Sequence, residues 1–163
     1  MKRAFLCVAL LLVAVFWGCG RKNVDFFDPF RAAYTAEVEG VLYGLPFSAT
    51  IEMGERGEGG VAPATVILYA PSELSGTTLT RAADGSITVK SGGLSVSDMG
   101  GVGAALFSLF PQTGSATHAE VSEEGRTRVL WEGGEIEFLA DGTPFSVRTE
   151  HVSVTVVSWR GEA

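Results

Sequence analysis

The chain is poor in the side chains on which most enzymes and metal sites depend. Its 163 residues include two cysteines, Cys7 and Cys19, and two histidines, His118 and His151. Because both cysteines lie in or beside an N-terminal apolar run, the rest of the chain has no thiol for a disulfide framework or for cysteine catalysis. The histidines are far apart, with neither an HExxH motif nor a cysteine pair near them, so we predict no metal site and no cofactor.

The motifs of two common catalytic folds are missing too. No GxSxG elbow is present, which excludes the usual arrangement of a serine hydrolase. Gly101 and Gly103 precede an apolar segment, but Leu106 occupies the third glycine position of a dinucleotide-binding fingerprint, and no parallel βαβ unit surrounds it. We therefore predict that the protein is not an enzyme.

Positive charge and long apolar runs are also scarce. The chain has 12 lysines and arginines against 19 aspartates and glutamates, a formal net charge of -7. A surface of this sign repels phosphate backbones, so we expect no nucleic-acid partner. The apolar residues 4–17 would span about 21 Å as a helix, which is short of the roughly 30 Å hydrocarbon core of a bilayer.

This N-terminal run has the features of a cleaved export signal. It begins with two basic residues, and Gly18 supplies the small residue expected at the cleavage point. The pair Gly18-Cys19 resembles the end of a bacterial lipoprotein signal, in which a small residue directly precedes a lipidated cysteine. The resemblance implies that residues 1–18 are removed and that Cys19 carries diacylglycerol and palmitate, which would anchor the exported protein in the cell membrane or the outer membrane. An uncut membrane anchor is the alternative.

Beyond the signal, the hydrophobic pattern is that of a β protein. Phe47, Ile51 and Met53 alternate with polar residues, as in a strand with one buried face. About ten such segments follow one another, joined mostly by turn signals such as Asp84-Gly85. They are residues 34–43, 46–55, 63–70, 77–82, 86–90, 116–123, 126–132, 135–140, 145–150 and 152–159.

One segment departs from this alternation. Residues 102–110 are apolar on nearly all sides and are followed at once by Pro111, which predicts a short buried helix. We therefore predict a mainly β fold: a strongly curved antiparallel sheet of about ten strands, a half-barrel, with one short apolar helix against its concave face. Residues 19–31 form a tether before the domain, residues 32–160. The aromatic side chains of the tether either dock on the domain or belong to a disordered linker.

The concave face is the candidate functional surface. Its predicted lining is apolar, and such a face either holds an apolar ligand or is simply the core. The candidate lining residues are Phe47, Ile51, Met53, Val66, Leu68, Leu106, Phe107, Phe110, Trp131 and Phe138.

The turn residues of the first half of the domain follow a recognisable order of strand, proline, Leu-x-Gly step, strand, Asp-Gly hairpin and strand. They are Pro71, Leu74, Gly76, Asp84, Gly85, Gly93 and Leu94, with Pro144 before the last hairpin. This order resembles that of the LolA, LolB and RseB-like group, and the resemblance covers most of residues 34–159. It implies an unclosed β-barrel with helices against the concave side, and a role as a lipoprotein carrier, a lipoprotein receptor or an envelope sensor.

A carrier of that group is soluble, so a lipidated Cys19 favours an anchored role. We expect a membrane-anchored envelope lipoprotein whose concave face binds an apolar ligand, either an acyl chain or a lipoprotein. The alternative is a non-enzymatic envelope scaffold for interaction, signalling or sporulation, with a cavity filled by its own side chains. The partners would then be the membrane, through Cys19, and either a lipid or lipoprotein ligand or an envelope protein.

Overall fold

The computed structural model describes residues 25–57, 61–97, 101–112, 114–122 and 124–161. The predicted signal, residues 1–18, and Cys19 lie outside the described residues. The strands are β1 (Tyr34–Leu42), β2 (Leu45–Met53), β3 (Ala64–Ala70), β4 (Thr78–Arg81), β5 (Ile87–Ser91), β6 (Leu94–Ser97), β7 (His118–Val121), β8 (Thr127–Trp131), β9 (Gly134–Phe138), β10 (Pro144–Thr149) and β11 (Val152–Gly161). The helix α1 is Val102–Phe107, and short 3₁₀ turns lie at Asp28–Phe30 and Ser72–Leu74.

All eleven strands form one antiparallel sheet. Its order is β6-β5-β4-β3-β2-β1-β11-β10-β9-β8-β7, so two meanders meet where β1 pairs with β11. The chain leaves the first meander at one edge of the sheet and, after α1, enters the second at the opposite edge. In the described part of the chain the sheet does not close on itself and one short α-helix is present, which confirms the predicted half-barrel class.

The hairpins follow from local sequence. Tyr43 and Gly44 join β1 to β2, and both have positive φ, as a tight two-residue hairpin turn requires. On β2, Phe47, Ala49, Ile51 and Met53 are buried while the residues between them are not, which is the predicted alternation.

The core lies between the sheet and α1. Leu106 and Phe107 of the helix are buried, and the helix packs against β4 and β5. The predicted helix over residues 102–110 is too long, since the regular helix ends at Phe107. Leu109 and Phe110 nevertheless continue into the core at 0% and 2% exposure.

The described part of the predicted tether packs on the domain. Phe27 and Phe30 are each 1% exposed and belong to the main core cluster. The Phe30 ring lies 5.4 Å from both the Phe110 ring and the Trp159 ring, measured between centroids. Of the two alternatives, the structure therefore shows these aromatic residues docked on the domain and not in a free linker.

The two edges of the sheet are exposed. Every residue of β6 and every residue of β7 is exposed, including Leu94 at 75% and Val121 at 71%. The ten predicted strands do not include β6, whose alternating sequence LSVS is only four residues long. Val96 lies opposite Val89, which packs on the core, so Leu94 and Val96 face the concave side.

Candidate functional site

The predicted ligand-lining residues are brought together by the fold, but they fill the space between them. Nine of the ten belong to one buried cluster, with exposures from 0% for Ile51 and Val66 to 6% for Phe47. Trp131 is half-buried and packs against the same cluster. The centre of the concave face is therefore side-chain core.

An open groove borders this core. It has a volume of about 750 Å³, within the range of small-molecule sites. Of the predicted lining residues, Phe107, Phe110 and Trp131 border it. Met53 borders a different cavity, and the remaining six line none of the cavities described for the structure.

The groove wall mixes charged, polar and apolar residues, and its charged residues lie toward opposite ends of the sheet. Arg56 and Arg81 lie on its wall at the end of the sheet where β2 and β4 finish. Glu132, Glu150 and His151 lie on the wall at the other end, in the β8–β9 and β10–β11 turns. The two ends therefore carry opposite charge.

Arg81 is an arginine on the inward side of a strand. It follows Leu79 by two positions on β4, so both side chains point to the concave face. Its guanidinium donates from Nε to the Ala62 carbonyl oxygen at 3.0 Å, contacts Met53 Sδ at 3.2 Å and lies 5.1 Å from the centre of the Phe107 ring. Burial lowers the pKa of Arg81, and the positive charge of Arg56 lowers it further, against an opposing effect of Tyr34.

Tyr34 is the second unusual polar group. It is 2% exposed, and its ring stacks on Trp159 with 4.4 Å between centroids. Its hydroxyl has no hydrogen-bond partner among the described residues. Burial raises the pKa of this phenol strongly, with Arg81 acting in the opposite direction.

A buried hydroxyl without a partner costs stability, which gives a direct prediction. We expect Tyr34→Phe to raise the free energy of unfolding by about 1 kcal/mol, because Phe keeps the ring contacts and removes the unsatisfied donor. Urea unfolding of the two proteins measures the change. Tyr69→Phe is the matched control, since the Tyr69 side chain is exposed and its hydroxyl accepts a hydrogen bond from Thr50 at 3.1 Å. Destabilisation by Tyr34→Phe would mean that the hydroxyl has a partner.

Sequence reasoning missed Arg56, Arg81 and Tyr34 as site residues. Arg81 and Tyr34 could have been found, because each occupies an inward position of an alternating strand where an apolar residue is expected. The position of Arg56 against the groove depends on how the chain continues beyond β2, and no local sequence pattern predicts that path.

Charged residues on the convex face form a ladder instead of a site. Arg128 pairs with Glu135 and with Glu120, the latter at 3.3 Å, and Arg148 lies 3.7 Å from Glu135. The hydrogen bond from Arg128 to Glu135 raises the pKa of that guanidinium. His118, one of the two histidines, lies 3.8 Å from Glu120 at the exposed end of this ladder.

Metal-ligand clusters and membrane-spanning helices are both absent from the described parts of the chain. Those parts contain no group of three or more histidine, cysteine, aspartate or glutamate side chains placed to hold a metal ion. None of their helices has the length and apolar character needed to cross a membrane.

Comparison with known proteins adds evidence on the fold. No protein-family model matches the sequence, and no curated protein matches it. Among solved structures, an uncharacterized conserved protein from Thermus thermophilus is similar, with a TM-score of 0.50 and 14% sequence identity. The match covers 82% of this chain and 81% of that one. At this identity the likeness concerns the fold alone.

Proposed function

We propose that the protein is a non-enzymatic, membrane-anchored envelope lipoprotein that recognises a partner protein by pairing with one of its β-strands at the open edges β6 and β7. The observation that carries the proposal is that every residue of both edge strands is exposed and that no other described strand pairs with their outer sides, which leaves the outer backbone N–H and C=O groups available to another strand. The resemblance of Gly18-Cys19 to a lipoprotein signal supports the anchoring.

The composition of β6 supports strand recognition. Natural edge strands are commonly protected by charges, proline or a bulge. The sequence of β6, LSVS, has no charged residue and no proline, and its pairing with β5 is regular over all four residues. Leu94 and Val96 lie two positions apart on the same side, which suits a partner strand with alternating apolar residues.

The other hypothesis from the sequence, an acyl chain within the concavity, has weaker support. Apart from Trp131, all the predicted lining residues are buried against one another. An acyl chain there would have to displace side chains from a packed core, and inserting extra volume into such a core costs about 1–3 kcal/mol.

Site-specific photocrosslinking in the native cells tests strand pairing. We expect a photoreactive residue at Ser95 or at Glu120 to give one discrete protein adduct, because both positions lie on the proposed edges. The same residue at Ser153, on the central strand β11, is the control and should give none. Mapping of the adduct should place the crosslink within an extended partner segment.

The substitution Val96→Lys provides a second test of strand pairing. It adds a charge to the centre of β6 at an exposed position, so the fold should be retained while pairing is blocked. Loss of the Ser95 adduct in this variant supports the proposal. The proposal is contradicted if the adduct persists at full yield, or if neither edge gives an adduct. An adduct with a second copy of this chain would mean that the edges serve self-association and not binding of a different protein.

A further inference from the structure

Two arginines at one end of the groove have no carboxylate partner among the described residues. Among the residues that the structure describes, Arg56 and Arg81 take part in no ion pair, although Arg31, Arg126, Arg128 and Arg148 all do. The chain has an excess of acidic residues, with a net charge of -7. Lys90 and Arg160 are also outside the described ion pairs, so what distinguishes Arg56 and Arg81 is that they lie together on one groove wall.

The environment of Arg81 makes the missing negative charge significant. Its guanidinium is partly withdrawn from water, and its described contacts are a backbone carbonyl, a thioether and an aromatic ring. A cation in such surroundings is costly without a counter-charge. Arg56 does not supply this counter-charge, because it is itself a cation and its electrostatic effect on Arg81 is repulsive.

The buried hydroxyl of Tyr34 indicates a second unfilled polar requirement in the same region. Tyr34, Met53, Ala64 and Arg81 lie side by side in one row across β1 to β4, on the concave side near the end of the sheet. The Tyr34 hydroxyl is a donor without an acceptor among the described residues. The Tyr34 hydroxyl does not border the groove itself, so the two arginines carry the case for an acceptor with negative charge there.

We propose that the Arg56 and Arg81 end of the groove binds an anionic group, a phosphate or a carboxylate. Two guanidinium groups suit either anion, because their N–H donors form charge-assisted hydrogen bonds with paired oxygens. Phe107, Phe110 and Trp131 continue the groove wall beyond the arginines, so an apolar group attached to the anion would lie against them. Glu132 and Glu150 repel an anion from the far end and fix the orientation. This site is independent of strand pairing at β6 and β7.

Binding of simple probes to the full-length protein in neutral detergent tests the proposal. The probes are inorganic phosphate, hexyl phosphate, hexanoate and uncharged hexanol. Their binding is followed by calorimetry and by tryptophan fluorescence, to which Trp131 on the groove wall contributes together with Trp17 and Trp159. We expect the charged probes to bind and hexanol not to bind. Tighter binding of hexyl phosphate than of inorganic phosphate would assign the site to an anionic amphiphile, whereas equal affinities would assign it to a free anion, and both support the site.

The variants separate charge from folding. We expect Arg56→Gln and Arg81→Gln each to weaken hexyl phosphate binding by about tenfold or more, the loss of one charge-assisted contact. Arg56 is exposed, so its variant should fold normally, and Arg81→Lys should bind better than Arg81→Gln. Lys90→Gln, which removes an exposed cation from the other face of the sheet, is the control. The proposal is overturned if hexanol binds as well as hexyl phosphate, or if Arg56→Gln binds hexyl phosphate as tightly as the unmodified protein.

Discussion

Replacing Phe30 by alanine is expected to lower the free energy of unfolding by about 4 kcal/mol, the usual cost of emptying a fully buried aromatic site. Phe30 lies at the centre of an aromatic cluster, with ring centroids 5.4 Å from Phe110, 6.0 Å from Phe138 and 6.2 Å from Tyr34. It joins the N-terminal segment, the chain after α1 and the sheet. Thermal and urea unfolding would measure the loss.

Phe26→Ala is the matched control for this prediction. It removes the same side chain from the same segment, but Phe26 is only partly buried and its single described ring contact is with Phe138 at 6.2 Å. We expect it to cost about 1 kcal/mol, in proportion to the smaller apolar area lost. Equal effects of the two substitutions would mean that residues 25–31 do not dock as a specific part of the core.

Replacing Gly40 by alanine is the second large expected effect. Gly40 lies on β1 where β11 passes closely over it, and a Cβ atom there would lie 2.7 Å from the Val154 Cα and closer still to the Ser153 carbonyl oxygen. Both obstacles are backbone atoms, which cannot move without separating the two central strands. We expect a loss of about 3 kcal/mol or more, at the upper end of overpacking effects.

Gly57→Ala tests whether this loss comes from crowding or from the change of residue type. No heavy atom of the described residues lies within 4 Å of the position of a Cβ at Gly57. Its substitution should leave the urea midpoint nearly unchanged, while Gly40→Ala should yield little folded protein. Normal folding of Gly40→Ala would require β1 and β11 to be further apart than the structure places them.

Much of the fold could be predicted from alternation alone. Strands β1 and β2 show alternation clearly, because one face of each contributes to the core and the other faces solvent. The polarity of each successive residue therefore indicates which face it lies on. Strand β6 is the exception. Its sequence, LSVS, alternates as well, but it is only four residues long and all four are exposed, so the pattern there reports no buried face.

The candidate site was predicted less well, for a related reason. Apolar residues at inward positions identify a concave face, but their spacing says nothing about whether the space between them is empty. In the structure Ile51, Val66 and Phe138 fill it. The groove that remains depends on how the chain after α1 crosses from one meander to the other, and that path is decided by tertiary packing.

The strand order has a geometrical consequence for the open side of the sheet. Successive strands alternate in direction, and because the described sheet has an odd number of strands, β6 and β7 run the same way. Direct pairing of these two edges would create one parallel ladder in an otherwise antiparallel sheet, with a less favourable hydrogen-bond geometry. A single incoming strand of opposite direction would be antiparallel to both edges at once. The two unpaired edges thus run in the same direction. A partner strand that is antiparallel to β6 is therefore also antiparallel to β7.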